Sequence, residues 1–225
     1  DCTLGTDETF DYNTSLNAYY ENYGADYFLQ NVKDIFSADD LTIANFEGTL
    51  TDSDEREDKT FAFKAPASYA SILTNGSVEA VNTANNHSHD YGDQSFDDTL
   101  AALDDAGIVH FGYDETAVMD VKGIKVGLVG IYELYDHLER EQQLKDNIAK
   151  VKADGAQLIV MKRKPFRTAT RQHLDASRSM KALILYADII RMYFKALKLI
   201  KAGILYTASE TSASAATVLQ VIWTP

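Results

Sequence analysis

Cysteine, proline and tryptophan are scarce in this chain, which has one cysteine, three prolines and one tryptophan among 225 residues. A single thiol, Cys2, cannot form an internal disulfide, so cysteine usage does not identify the compartment. No run of about 18 apolar residues is present, which predicts that no transmembrane helix lies in this chain. The sequence begins at Asp1 without an initiator methionine or a signal peptide, and we expect it to be a segment of a longer protein.

Positively charged residues are outnumbered by negatively charged ones, and the formal net charge is −13. Such a charge argues against nucleic acid as a partner. The charge is unevenly distributed: residues 1–160 carry 10 Lys and Arg against 31 Asp and Glu, whereas residues 161–225 carry 11 against 3. Glycine falls from 11 residues in the first part to Gly203 alone in the second. The sequence therefore predicts an α/β domain over 1–160 and an aberrant basic tail, helical in part, over 161–225.

Strand and helix patterns alternate through the first part. This alternation predicts a layered α/β domain with a mostly parallel sheet, whose ligand site lies beyond the carboxyl ends of the strands. The predicted helices are Ala25–Phe36, Ala67–Leu73, Asp93–Ala106 and Leu138–Ala153, and the predicted strands are Leu41–Phe46, Val78–Val81, Ile108–Phe111, Ile124–Tyr132 and Gln157–Met161.

Three predicted strand ends are rich in groups that bind metals or move protons. They are Asp1 in DCTLG, the segment NFEG at residues 45–48, and the segment NNHSHDYG at residues 85–92. Carboxylate, amide and imidazole groups that meet at one sheet edge can hold a divalent metal, and a histidine there can act as an acid or base. Asn, Asp and Gly after a strand are also ordinary turn residues, and this reading is favoured for the two shorter motifs.

The order of these motifs resembles that of the bacterial capsule-synthesis protein CapA family. That family has G-D-x-x-L-G, N-x-E-G, K-x-P, A-N-N-H-x-x-D-x-G and A-G-I, and this chain has DCTLG, NFEG, FKAP, ANNHSHDYG and AGI in the same order. The resemblance covers almost all of residues 1–160. It implies a metallophosphoesterase-like fold and a role in poly-γ-glutamate capsule synthesis at the bacterial cell surface.

The resemblance also implies roles for individual residues. Asp1, Asn45, Glu47 and Asn86 match metal-site positions, and His87 matches the catalytic acid. The family implies divalent Mn, Zn or Fe as the cofactor, an anionic polymer or phosphoester as the substrate, and capsule-synthesis membrane proteins as partners. It also implies that a segment not present in this chain anchors the protein. His89 has no family role and is expected to be a surface or loop residue.

The later motifs of the family are missing. They are H-W-G-x-E, I-D-x-G-A-D-L-V-x-G-H-H-P-H-V and Y-S-L-G-N-F, and the late histidine His173 fits none of them. We therefore expect an incomplete domain, without its first strand and its genuine second half, that binds metal weakly and is inactive.

A frameshift would account for the missing motifs. When the third base of each codon joins the first two of the next, Asp188–Phe194 permits His-His-Pro-His-Val-Leu-Gln and Tyr206–Ser214 permits Tyr-Ser-Leu-Gly-Asn-Phe-Cys-Phe. Ser177–Leu185 permits Ala-Ile-Asp-Glu-Gly-Ala-Asp-Leu. These matches follow the family order, so we interpret residues from about 161 onward as a frameshifted second half.

Two alternatives stay open. The strand ends could form a non-catalytic binding module of the cell-surface polymer machinery. If the tail is genuine, His173–Leu205 has the pattern of a basic amphipathic helix, which could pack on the sheet, lie on an anionic membrane or bind a partner. For a frameshifted tail we expect residues 161–225 to form helix and irregular segments, with helix around Ser179–Lys201, rather than sheet strands.

Overall fold

A computed structural model describes residues 1–132, 137–164, 182–186, 189–191 and 218–223. The chain divides into two compact units, Asp1–His110 and Phe111–Pro225. The sequence, by comparison, predicts a change of character at residue 160, and strand Leu158–Lys164 runs through that position. No helix in the described ranges is both long enough and apolar enough to cross a membrane.

The first unit contains a parallel sheet flanked by short helices. Its central strand is buried along its whole length, as expected for a strand covered on both faces. The strands are β1 (Cys2–Thr3), β2 (Thr42–Glu47), β3 (Thr49–Leu50), β4 (Lys64–Ala65), β5 (Ala80–Asn82) and β6 (Val109–Phe111); the helices are α1 (Leu16–Tyr23), α2 (Asp26–Leu29), α3 (Lys33–Phe36), α4 (Ala70–Asn75) and α5 (Gly92–Asp105), with 3-10 turns at Tyr12–Thr14 and Ala67–Tyr69.

The strand order of the main sheet is β1-β2-β5-β6, and β3 pairs separately with β4. Strand β2 is parallel to both β1 and β5, with Cys2 opposite Phe46 and Asn45 opposite Asn82. The carboxyl ends of these three strands therefore lie side by side at one edge of the sheet. This arrangement brings together residues that are far apart in the sequence.

The second unit has a mixed sheet with one helix in its described part. The elements are β7 (Thr116–Val121), β8 (Ile124–Tyr132), α6 (His137–Ala153), β9 (Leu158–Lys164), β10 (Ala182–Tyr186), β11 (Ile189–Arg191) and β12 (Val218–Trp223). Strands run in the order β10-β12-β9-β8-β7, and of these pairs only β8 with β9 is parallel.

Helix α6 packs closely on this sheet. Val151 from the helix joins Val129, Ala156 and Ile159 in a buried apolar cluster. Gly127 makes the close approach possible, because a Cβ atom there would stand 2.9 Å from the Cβ atoms of both Val151 and Ala156.

Several predicted elements are confirmed with shifts of at most three residues at their ends. They are the helices at α5 and α6 and the strands at β2, β5, β6, β8 and β9. Gly107 follows α5 with a φ of 71°, as expected for a glycine that ends a helix. The predicted helix Ala25–Phe36 is instead two short helices, α2 and α3, and β7 was not predicted.

The prediction that the tail forms helix rather than strands was wrong for its described residues. Within the predicted helix Ser179–Lys201 lie the two strands β10 and β11. Strand β10 pairs with β12, which in turn pairs with β9. Backbone pairing with neighbouring strands outweighs a helical spacing of apolar residues, and the Leu-Ile-Leu-Tyr run of β10 suits a strand. Most of the proposed frameshifted segment, including His173 and Tyr206–Ser214, lies outside the described residues.

Candidate functional site

A hydrogen-bonded row of polar side chains crosses the carboxyl ends of β2 and β5 and the residue that directly precedes β1. The amide nitrogen of Asn45 donates to Asp1 Oδ1 at 2.7 Å and to Glu47 Oε1 at 2.9 Å. Its oxygen accepts a hydrogen bond from the amide of Asn82 at 2.8 Å. We call these four residues the strand-end row. Three of its members were predicted from the sequence, and the structure brings them into direct contact.

Asn82 was missed by the sequence analysis. It lies opposite Asn45 in the parallel register of β2 and β5, so its side chain meets that of Asn45. Its Nδ2 also donates to the carbonyl oxygen of Ala84, and its Oδ1 has no hydrogen-bond partner among the described residues. An unpaired buried carbonyl costs about 1–3 kcal/mol, so this oxygen is a place where a water or a cation would be stabilising. The pairing of β2 with β5 is what places Asn82 beside Asn45. This pairing depends on the register of the two strands, which no local sequence pattern indicates.

The second part of the site is a pair formed by His87 and Asp90. His87 Nδ1 lies 2.9 Å from Asp90 Oδ2, and the carboxylate is fully buried. The same carboxylate accepts a hydrogen bond from the backbone N–H of Phe63 at 2.6 Å and forms an ion pair with Lys59. The ring of Phe63 packs against the imidazole with centroids 4.8 Å apart. These contacts fix the imidazole ring through one of its nitrogens.

Asn85 joins the His87–Asp90 pair to the row. Its amide nitrogen donates to the carbonyl oxygen of Phe46 in β2 at 2.6 Å. Its side-chain oxygen accepts from the backbone N–H of His87 at 2.9 Å. Of the five predicted site residues, Asp1, Asn45 and Glu47 are in direct contact, and Asn86 and His87 lie in the loop that follows β5. Asn86 is half-buried, and its carbonyl oxygen accepts from Lys59 at 2.8 Å.

This combination of motifs and topology agrees with a match between the chain and a known family. The profile of the family described as "Bacterial capsule synthesis protein PGA_cap" matches residues 5–197. The chain belongs to this PGA_cap family. The match extends beyond residue 160, where the sequence resemblance ends, and begins after Asp1.

Two curated proteins are similar to part of this PGA_cap chain. The "PGA biosynthesis protein CapA" of Bacillus subtilis (strain 168) is 30% identical over 124 residues, which is 51% of this chain and 33% of that protein. The "Capsule biosynthesis protein CapA" of Bacillus anthracis is 25% identical over 124 residues, which is 50% of this chain and 30% of that protein. The matched segment is thus about a third of the length of either relative.

The donor atoms of this PGA_cap chain suit some metals better than others. Asp1 and Glu47 provide carboxylate oxygens, and Asn82 provides an amide oxygen. Such oxygen donors suit Mn²⁺ or Mg²⁺, whereas Zn²⁺ favours imidazole and thiolate. Within the described ranges, no three His, Cys, Asp or Glu side chains are grouped so that they could hold a metal ion. The row therefore fits a hard cation only in part.

A loop that was not predicted to contribute to the site forms ion pairs with two buried carboxylates. Residues 51–63 between β3 and β4 include Arg56 and Lys59, which pair with the buried carboxylates of Asp7 and Asp90. Burial alone would raise the pKa of Asp7. Hydrogen bonds from Ala62, Thr9 and Arg56 more than offset this effect and hold the pKa well below its usual range.

His89 takes a different position from His87. Its ring stacks on Phe96 of α5 with centroids 4.6 Å apart. This half-exposed residue agrees with the expectation of a surface or loop histidine.

Proposed function

We propose that this chain is a CapA-like protein of poly-γ-glutamate capsule synthesis, with a metallophosphoesterase-type site that is incomplete and inactive in this chain. The observation that supports this proposal is the strand-end row beside the His87–Asp90 pair. The substrate class is a phosphoester or an anionic polymer such as poly-γ-glutamate. On the same family grounds we propose that the protein works at the bacterial cell surface with membrane proteins of capsule synthesis.

In this proposal His87 is the general acid. Its Nδ1 is held by Asp90, so Nε2 is the atom that exchanges a proton with the leaving oxygen of a substrate. Asp90 acts as a positioning residue. Phe63 and Lys59 keep its carboxylate in place.

Asp1, Asn45, Glu47 and Asn86 are the residues proposed to hold a divalent cation, and Asn82 is added because its oxygen is buried and unpaired among the described residues. The chemistry that such a cation supplies when bound is polarisation of a phosphoryl oxygen and activation of a water. In the present orientation Asn45 directs its NH₂ group at both carboxylates. A ligand role for its oxygen requires the amide to turn by half a rotation.

The chain is proposed to bind metal weakly and to hydrolyse phosphoesters negligibly. The strand-end row offers two carboxylates, and affinity falls with the number of protein ligands. Electron paramagnetic resonance of free Mn²⁺ measures binding directly. We expect weak binding by the unmodified chain, loss of binding in Glu47→Gln, and no change in Asp105→Asn, a control at an exposed carboxylate of α5.

Activity is measured with bis(p-nitrophenyl) phosphate in the presence of Mn²⁺. Stoichiometric metal that survives dialysis, together with metal-dependent turnover, would contradict the proposed inactivity. Turnover that His87→Gln leaves unchanged would contradict the acid role.

A non-catalytic binding module is the second candidate. The observation in its favour is that Asn45 already bridges the two carboxylates, so the row is held together by hydrogen bonds without a cation. Equal Mn²⁺ binding by the unmodified chain and by Glu47→Gln would support this candidate over the first.

The frameshifted origin of the segment after residue 160 also stays a proposal. The nucleotide sequence of codons 155–225 tests it. A +1 or −1 shift that restores the H-H-P-H and Y-S-L-G-N-F motifs would support it, and a coding sequence conserved in the present frame would contradict it.

A further inference from the structure

Three exposed tyrosines pack against one another on α1 and α2, and one of the three ring pairs, Tyr23 with Tyr27, is stacked. Tyr19, Tyr23 and Tyr27 are 40%, 61% and 38% exposed. Ring centroids are 5.8 Å apart for Tyr19 with Tyr23 and with Tyr27, and 4.7 Å for Tyr23 with Tyr27. We call these residues the tyrosine platform. A contiguous group of exposed aromatic rings is unusual and marks an interaction site more often than scattered apolar residues do.

Tyr19 and Tyr23 lie on α1 and Tyr27 lies on α2, and α1 is held in place by contacts of Tyr20 and Ser15. Tyr20 stacks on the buried Tyr69 with centroids 3.9 Å apart, and its hydroxyl group lies 3.2 Å from Ser71 Oγ. Ser15 caps α1 by accepting a hydrogen bond from the N–H of Ala18 at 3.2 Å. The platform is therefore presented by a fixed element, which lowers the entropy cost of binding.

The charge of the surrounding unit selects the kind of partner. Residues 1–110 contain 22 Asp and Glu against 4 Lys and Arg. Three of the four cations, Arg56, Lys59 and Lys64, are already in ion pairs with carboxylates. Asp26, which directly precedes Tyr27, is exposed at the start of α2. At the tyrosine platform this charge favours a cation, which is attracted by the field of the unit and by the faces of the rings.

We propose that the tyrosine platform binds a lysine- or arginine-bearing polypeptide segment of a partner protein through cation–π contacts. This interaction surface is independent of the strand-end row and of the function proposed for it. The acidic unit supplies long-range attraction, and the clustered rings supply the contact that recognises the cationic side chains.

A labelled peptide of alternating Lys and Gly is the probe, with a Glu and Gly peptide and a neutral oligosaccharide as comparisons. Fluorescence anisotropy at low salt measures its affinity for the full chain. We expect the Lys peptide to bind and its affinity to fall as salt screens the exposed charges. Neither comparison ligand is expected to bind.

Substitutions separate the π-electron contribution from simple apolar contact. Tyr23→Leu and Tyr27→Leu keep an apolar side chain and are each expected to weaken binding about two- to fivefold. Tyr23→Phe keeps the ring and is expected to bind within about twofold of the unmodified chain. Phe10→Leu removes an exposed ring outside the platform and is expected to bind as the unmodified chain does. Circular dichroism confirms that each variant is folded.

Three outcomes would overturn the proposal. They are leucine variants that bind the Lys peptide as well as the unmodified chain, a Tyr23→Phe variant that loses as much as Tyr23→Leu, and preferential binding of the neutral oligosaccharide. The last result would assign the platform to a glycan.

Discussion

Replacement of Asp7 by asparagine should destabilise the protein strongly, although Asp7 lies outside the strand-end row. The buried carboxylate accepts hydrogen bonds from Thr9 N and Thr9 Oγ1 at 2.8 and 2.5 Å, from Ala62 N at 2.7 Å and from Arg56 Nη2 at 3.0 Å. Asparagine has a single acceptor oxygen, so either the Thr9 pair or the Ala62 and Arg56 pair loses its acceptor. Loss of the charge leaves Arg56 without its buried counter-ion.

The expected cost is about 3–5 kcal/mol, as for other buried pairs from which one partner is removed. This cost is a large part of the free energy of unfolding of an ordinary domain, which is about 5–15 kcal/mol. Urea unfolding followed by circular dichroism measures it. Asp54→Asn is the matched control, because Asp54 also forms an ion pair, with Lys64, but is fully exposed, and such pairs contribute little.

The effect should depend on pH in a defined direction. The folded state lowers the pKa of Asp7, so its contribution is present above the ordinary value of about 3.9 and is lost as pH falls below it. The difference in the free energy of unfolding between the unmodified chain and Asp7→Asn should therefore shrink as pH falls below about 4. A loss below about 1 kcal/mol at pH 7 would refute the reasoning, as would a difference that does not change with pH.

Other substitutions test packing and ionisation. Burial raises the pKa of Tyr69 to about 12, so stability present below about pH 10 should be lost as pH rises from 10 to 12. Tyr69→Phe should remove this pH dependence of the free energy of unfolding, measured with urea. A pH dependence that stays unchanged in the variant would contradict the assignment to Tyr69. Gly127→Ala should cost about 1–3 kcal/mol by overpacking against α6, with thermal unfolding as the measurement and an unchanged midpoint as the contrary result.

Sequence reasoning predicted that Asp1, Asn45 and Glu47 lie together, because these residues belong to short motifs at strands whose apolar pattern can be recognised. Strand β2 lies within one residue of its predicted bounds, and its parallel pairing with β5 sets Asn45 beside Asn82. Asn82 and Lys59 were missed because their roles arise from register and from the path of a loop. Neither property has a local signature in the chain.

In the segment after residue 160, the sequence pattern predicted the wrong secondary structure for the described residues. Its apolar residues fit a helical spacing, but β10 finds hydrogen-bond partners on β12, which is more than 30 residues away in the sequence. A periodicity describes which side chains can share a face, whereas the choice between helix and strand depends on which distant segment is available for pairing.

The register of β2 has a consequence for how the gene can vary. Successive side chains of a strand point to opposite faces, so Asn45 and Glu47 alternate with Ala44 and Phe46. Loss or gain of one codon in this strand would exchange the two sets, which would bury a carboxylate in the apolar layer and present a phenylalanine at the sheet edge. Substitutions in β2 can be judged one at a time, but a single-residue insertion or deletion there would change the core and the candidate site together.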